Sequence, residues 1–471
     1  MPDLVVCVDF GSTFTKAALV DRAAGRLLAT TQHPTTSGTD VLDGYDACLA
    51  ALAAEHPEVA HAETLACSSA GGGLRIAVVG NEDLVTAEAG RRVALSSGGK
   101  VVAVLAGGLD DARFTELVAA RPDVLLLVGG TDGGNAATLV ADAGFLAARS
   151  WAGPVVVAGD VDSQDVVAGS FEGSGTPYLL ADNVVPRIGV LAPESARAAI
   201  REVFLAHVIG GKNLSSRPEF AAMVLGATPD VVLTGVELLA AVHGSSAPGT
   251  GVVVVDVGGA TTDVHSVVTL DPEETALARE VVAVTPTTRT VEGDLGMRWS
   301  AVSTAEEAIA AGLADEDLRT AAVRRGDDPG LVPADPADAA DDLRLAGAAA
   351  VLAMRRHVGR SVVVLSPEGR VVERSGKNLR AVDLLVGSGG VFRAAADAVP
   401  VLSAATGVDP DGWQLPEHPR IVVDEASVLA AAGLIALAGG DAAALRSAQL
   451  LICNNVSGVD QHGGASQEGA P

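Results

Sequence analysis

The chain has 471 residues, with 32 Lys and Arg against 59 Asp and Glu and a formal net charge of −27. At roughly 150 residues per domain, that length gives two to four domains, each able to bury its own core. The acid excess excludes nucleic-acid and anionic-membrane binders, because only Lys16, Lys100, Lys212 and Lys377 represent lysine and no basic run exists.

In chain order, Leu4–Asp9 is an apolar run ending in an acid, Gly11-Ser12-Thr13 makes a turn, and Phe14–Val20 and Arg26–Thr31 complete a three-strand meander. The opening Met-Pro-Asp runs straight into this strand without a basic leader, which reads as strand and not as signal peptide. Asp40–Glu55 carries Leu42, Tyr45, Leu49 and Leu52 at helical spacing. From about residue 63 strands alternate with helices: Thr64–Cys67, Arg75–Val79, Lys100–Leu105, Val124–Val128 and Pro154–Val157 are strands, with helices such as 83–95 and 112–120 between them. Buried strands joined by helices predict a mostly parallel sheet.

Gly251–Val268 repeats the opening pattern of strand, aspartate, glycine turn and strand. Residues 314–345 are rich in Ala, Asp and Pro and are expected to form an exposed excursion flanking short helices. Leu384–Val386 is a strand stopped by Gly387-Ser388-Gly389-Gly390, and Ser427–Leu437 is an Ala/Gly-rich helix. The longest apolar stretch, 426–440, is too short for a bilayer span. Cys7, Cys48, Cys67 and Cys453 form no C-x-x-C and read as reduced core residues of a cytoplasmic protein. Aromatics make up 3% of the chain, so a bound base is expected to rest on aliphatic side chains and glycines.

Two octapeptides carry the chemistry, Asp-Phe-Gly-Ser-Thr-Phe-Thr-Lys at 9–16 and Asp-Val-Gly-Gly-Ala-Thr-Thr-Asp at 256–263. Each is an aspartate at the end of a strand followed by a turn of small residues. One such turn is an ordinary way to close a hairpin. Two in matching positions suggest backbone N–H groups presented to an anion. Neither aspartate can bind phosphate directly, but both make sense with a divalent cation between them, because Mg²⁺ takes one or two carboxylates and bridges to phosphates. The glycine-rich turn at 387–390 would let a nucleoside lie against backbone at a helix start. Thr131–Asn135 lies at the C-terminal edge of a parallel sheet. It reads either as a second ligand site or as an Asp-Gly turn with an Asn helix cap.

The ordered set DFGSTFTK, DVGGATTD and VGSGG resembles the phosphate-1, phosphate-2 and adenosine motifs of the actin, heat-shock-ATPase and sugar-kinase superfamily. LTGVELLAAVH at 233–243 and the stretch 426–438 stand where its two connecting helices lie. More narrowly, SSAGGGLRIAVVG at 68–80, RPDVLLLVGGTDGGN at 121–135 and TVEGDLGMR at 290–298 resemble the MutL-type glutamate mutase accessory proteins, which are unrelated to the mismatch-repair protein of that name. The resemblance implies a two-lobed α/β ATPase of duplicated ribonuclease-H-like cores. Its domains would be an N-terminal lobe at 1–250 with a parallel α/β segment near 97–215, a C-terminal lobe at 251–450, and a disordered tail at 451–471.

By the same resemblance, Asp9 and Asp256 would hold Mg²⁺. Gly11, Ser12 and Thr13 would bind the β-phosphate of ATP, and Gly258, Gly259, Thr261 and Thr262 the γ-phosphate side. Asp256 or Asp263 would orient water, and Gly387, Gly389 and Gly390 would contact adenosine. Lys16 either touches phosphate or faces solvent, and Glu237 is a candidate for the acidic residue some members use in hydrolysis. The implied role is an ATP-dependent reactivating chaperone for an adenosylcobalamin-dependent mutase. The alternatives are a small-molecule kinase of the same superfamily and an activator of radical dehydratases.

Overall fold

The computed structural model describes residues 3–70, 73–209, 214–271, 285–366, 369–395 and 398–456. Leu4–Phe10 (β1), Phe14–Asp21 (β2) and Arg26–Pro34 (β3) form the antiparallel meander. Val41–Glu55 (α1) starts where the Asp40 carboxylate accepts the Leu42 N–H at 2.8 Å, and Glu63–Ser68 (β4) then returns parallel to β1.

The chain next leaves this sheet to build an all-parallel one. Leu74–Gly80 (β5), Gly99–Ala106 (β6), Val124–Leu127 (β7), Val155–Val157 (β8) and Tyr178–Leu180 (β9) stand in the order β6-β5-β7-β8-β9. Between them lie Glu88–Ser96 (α2), Asp111–Ala120 (α3), Ala137–Ala148 (α4) and Gln164–Phe171 (α5). This sheet opens at Leu74, ahead of the start expected near 97, because Leu74–Gly80 pairs with β6 and β7 and not with the meander. The helix expected over 83–95 begins as a π turn at Asp83–Ala87. One face of the inserted sheet (Ile76, Val78, Leu126, Val156) shares a core with Val6, Val8 and Phe10, so it belongs to the first half of the molecule.

Val224–Ala227 (β10) rejoins the first sheet, giving the order β10-β4-β1-β2-β3. After the helix Thr228–His243, the second half repeats the plan. Gly251–Val257 (β11), Thr262–Val268 (β12) and Thr287–Glu292 (β13) make a meander. Arg360–Ser366 (β14) and Gly369–Ser375 (β15) pair as a separate antiparallel hairpin. Leu384–Ser388 (β16) and Arg420–Val423 (β17) then add in parallel, for the order β13-β12-β11-β16-β17. The two sheets therefore share one topology, an antiparallel meander with two parallel strands beside its first member. That is the duplicated core of a two-lobed actin-like fold.

Of residues 314–345, the stretch around Val332 is exposed as expected, but the flanking helices have buried faces. Glu316–Asp327 is a helix burying Leu318, Ala321, Ala322 and Arg325, and Pro336–His357 is a longer one burying Asp342, Leu345 and Ala346. Small alanines form their apolar faces, which the surrounding acids obscure in sequence. Residues 451–455 continue the helix Ala442–Asn455, so the expected tail begins later, and 457–471 lie outside the described residues.

A central apolar layer joins the halves. It packs Val5, Cys7 and Leu65 on one side and Val252, Val254 and Leu384 on the other around the helices Thr228–His243 and Val428–Gly439. These two helices cross through reciprocal glycines. A Cβ on Gly235 would run into the Leu429 carbonyl, and one on Gly433 into the Val231 carbonyl. Gly235→Ala and Gly433→Ala should each lower the unfolding midpoint, at a cost of about 1–3 kcal/mol typical of overpacking. Gly144→Ala in α4, where nothing lies within 4 Å, should be neutral or stabilising. Thermal and urea unfolding check this, and unchanged midpoints in the first two variants would refute the crossing as a close-packed contact.

Candidate functional site

The two octapeptides adopt one geometry. Asp9 pairs with Lys16 across its hairpin and Asp256 with Asp263 across the other. In the first turn the Gly11 N–H donates to the Phe14 carbonyl at 3.1 Å, and in the second the Gly258 N–H donates to the Thr261 carbonyl at 2.9 Å. Glycine suits both places, since a Cβ would lie 2.7 Å from the Phe14 oxygen or 3.0 Å from the Thr261 oxygen.

The carbonyls of both turns are held from behind. Thr35 donates its hydroxyl to the Gly11 oxygen at 2.8 Å and its N–H to the Thr13 oxygen at 2.9 Å. Behind the second turn, Met297 N–H donates to Gly258 at 3.0 Å, Arg298 N–H to Gly259 at 2.8 Å and the Ser300 hydroxyl to Ala260 at 2.7 Å. The N–H groups of Ser12, Thr13, Gly259 and Ala260 have no hydrogen-bond partner among the described residues. Such groups form an anion-binding concavity. The turns face each other: a Cβ on Gly259 would be 3.1 Å from the Thr13 hydroxyl, which is itself buried and unpartnered.

A cavity of about 870 Å³ opens between them, bordered by Asp9, both turns, Lys16, Asp256 and Gly389-Gly390. Asp9 accepts the Thr228 hydroxyl at 2.7 Å. Desolvation raises the Asp256 carboxyl above the ordinary range. Lys16 acts against that rise, while Asp263 and Asp9 add to it and a hydrogen bond from Ser388 opposes it. Lys16 itself borders the cleft. Two aspartates whose negative charges disfavour one another beside unpaired N–H donors suit a divalent cation carrying phosphates. Among the described residues no cluster of three or more His, Cys, Asp or Glu side chains forms a metal cage, so any cation here would draw its remaining ligands from phosphate and water.

Several expected contacts fall elsewhere. Thr262 is fully buried within its strand, with its hydroxyl unpartnered, and does not border the cavity. Gly387 sits inside β16, where a Cβ would strike Leu402. Gly389, at φ +116°, is pressed on the Val257 carbonyl, so the turn itself demands glycine, whereas Gly390 is open, with Arg393 the nearest group at 3.8 Å. Asp263 borders the cavity but is engaged by Arg289 (Nε at 2.9 Å, and Nη2) and by the Thr261 hydroxyl at 3.2 Å. Glu237 pairs with Arg197 at 3.0 Å and does not border the cavity. In Thr131–Asn135 the Gly133 N–H donates to Asp160 at 2.9 Å, and Asn135, one residue ahead of the N-cap Ala136, accepts the Ala137 N–H at 3.0 Å.

The sequence reading missed the cavity's other wall. Leu331, Val332, Pro333, Pro336, Ala339 and Leu343 line it, as Gly390 does. This aliphatic surface suits a purine ring without stacking. Its position is fixed by a buried network: Asp342 accepts Arg298 Nη2 at 2.9 Å and Arg325 Nε at 2.5 Å, and Arg298 also donates to the Leu331 carbonyl at 3.1 Å. Only the proline spacing around Leu331 hinted at it in sequence.

Two outcomes follow. Gly390→Val should reduce nucleotide affinity by about tenfold or more with little change in ligand-free stability, whereas Gly389→Val should destabilise the chain outright. Calorimetric titration and thermal unfolding separate the two, and equal affinity in Gly390→Val would remove the nucleoside from this wall. A carboxyl whose folded-state pKa is raised contributes stability at low pH that is lost as pH rises through it. Asp256→Asn should therefore raise the ligand-free unfolding midpoint at neutral pH, with the advantage shrinking in acid. A lower midpoint at neutral pH would contradict this.

Among known proteins, the family model described as MutL protein matches residues 5–449. A relative from Clostridium tetanomorphum, Protein MutL, is 34% identical over 443 residues, covering 92% of this chain and 96% of that one. Of solved structures, a nucleotide-free acetone carboxylase covers 92% of this chain and 70% of its own at 15% identity and a TM-score of 0.40. Plasmodium falciparum glycerol kinase with ADP covers 96% and 92% at 11% identity and a TM-score of 0.33. On the extent of the family match and the identity to this relative, the chain belongs to the MutL protein family.

Proposed function

We propose that this protein binds and slowly hydrolyses Mg-ATP between its two lobes and acts as a reactivating chaperone for an adenosylcobalamin-dependent mutase such as glutamate mutase. The observation that carries the nucleotide part is the pair of matched turns facing one another with their N–H groups unpaired. The mutase partner rests on membership of the MutL family and on the resemblance of its motifs.

In this reading Ser12 and Thr13 receive the β-phosphate, Gly259 and Ala260 the terminal one, and Leu331–Leu343 the base. Mg²⁺ held through Asp9 and Asp256 supplies charge neutralisation at the phosphates. Lys16 adds a positive charge beside Asp256. A kinase needs a carboxylate free to accept a hydroxyl proton. Of the cleft acids, Asp263 and Asp342 are tied to arginines and Asp9 and Asp256 occupy the metal position, which disfavours the kinase alternative. The dehydratase-activator alternative needs surface thiolates for a cluster. Cys7, Cys48 and Cys67 are buried, and burial pushes the Cys7 thiol up to about 12.

Asp9→Ala should weaken Mg-ATP binding by about tenfold or more, while binding of Mg-free nucleotide changes less. The chain's ATPase should respond to an inactivated cobalamin mutase, and mutase activity should return only with Mg-ATP and free coenzyme. Wild-type binding in Asp9→Ala would refute the nucleotide site. Stoichiometric phosphorylation of a small acid or sugar, with no response to any mutase, would favour the kinase.

A further inference from the structure

Arg289 has no part in the reading above, yet it is 4% exposed and borders the cavity. Its guanidinium forks in two directions. Nε donates to Asp263 Oδ1 at 2.9 Å, with Nη2 on the same oxygen, and Nη1 donates to the Leu95 carbonyl at 2.8 Å. Asp263 in turn accepts the hydroxyl of Thr261, a residue of the second phosphate turn. Leu95 lies in the last turn of α2, in the inserted sheet's layer, where helix-end carbonyls carry partial negative charge; its carbonyl also accepts the Gly98 N–H at 3.2 Å. One planar group thus links a phosphate turn in the second half of the molecule to a helix of the first half.

Neighbouring contacts support the link. The strand carrying Arg289 packs along α2. Further along that strand's path, Gly293 leaves room for Lys100 of β6, whose Nζ would be 3.0 Å from a Cβ there. The loop between α2 and β6 is wedged at Gly98 against the start of the first connecting helix, where a Cβ would lie 2.8 Å from the Asp230 nitrogen. A buried arginine so placed cannot keep both partners if the turn and α2 move apart, and an unpaired charge in that interior is strongly disfavoured.

We propose that Arg289 is a positioning residue that couples occupancy of the second phosphate turn to the position of α2, and through α2 to the inserted parallel sheet. The proposal rests on the nucleotide reading above. Phosphate seated on Gly259 and Ala260 fixes Thr261, Thr261 orients Asp263, and Asp263 holds the guanidinium on the Leu95 carbonyl. Lysine at 289 keeps the charge beside Asp263 but lacks the planar fork that reaches both acceptors.

The test is hydrogen–deuterium exchange on the full chain, with and without the Mg²⁺ complex of a non-hydrolysable ATP analogue at saturating concentration for each variant. In the wild type, peptides covering 256–263 and those covering 88–98 should both exchange more slowly with the analogue. The second group should slow by about tenfold, the scale of one hydrogen bond to a charged group. In Arg289→Lys the 256–263 response should persist while that of 88–98 falls below about twofold. Asp263→Asn, which loosens the guanidinium from its other side, should decouple the segments in the same way and serves if the lysine variant fails to fold. An undiminished 88–98 response in these variants, or none in the wild type while 256–263 responds, would overturn the coupling. If neither segment responds in the wild type, the nucleotide site itself falls.

Discussion

The contact on which the rest of the molecule depends is the crossing of Thr228–His243 with Val428–Gly439. At Gly235 and Gly433 each helix lays backbone against backbone of the other, with no side chain between. Both helices are buried between the two meander sheets, so the depth of this crossing sets how far apart the sheets stand. Asp9 and Asp256 are the next-to-last residues of β1 and β11, and each strand is the central member of its sheet. The distance between the two phosphate turns is therefore a packing quantity, fixed by two glycines that do not themselves border the cleft.

Around that frame the polar groups are sorted by direction. Carbonyls of both turns are satisfied from the protein side, by Thr35 in one half and by Met297–Ser300 in the other, which leaves N–H groups toward the cavity. The same 297–300 segment carries Arg298, whose guanidinium reaches the Asp342–Arg325 network under the aliphatic wall. Backbone and side chain of one residue thus connect phosphate turn and base wall. Buried ion pairs of this kind add little net stability, because desolvation offsets their attraction, but breaking one is costly. Their value here is in fixing geometry.

The inserted parallel sheet gives the first half an appendage that the second half lacks. It shares a core with β1 through Ile76 and Val78 and touches the second half at Arg289 and Lys100. Duplication made the site, and the insertion made the halves unequal.

The sequence by itself determined much of this. Strand, acid and small-residue turn, repeated at 9–16 and 256–263, encode local geometry that depends on neighbours only a few residues away. The meanders, the turns and the Ala/Gly-rich helix at 427–437 were legible for that reason, whereas the helix at 233–243 was placed by the family resemblance. Tertiary structure decided what depends on partners far along the chain. Asp263 reads as a free acid until Arg289 is seen on it, and Gly387 and Thr262 read as ligand contacts until their strands are paired and buried. The aliphatic wall at 331–343 was hidden because its helices bury alanine among acids, and the Arg325–Asp342 pair that keeps one of those acids inside joins residues on different helices. Local propensity and periodicity act over a turn or a strand, whereas charge pairing and close helix crossings arise only when distant segments meet.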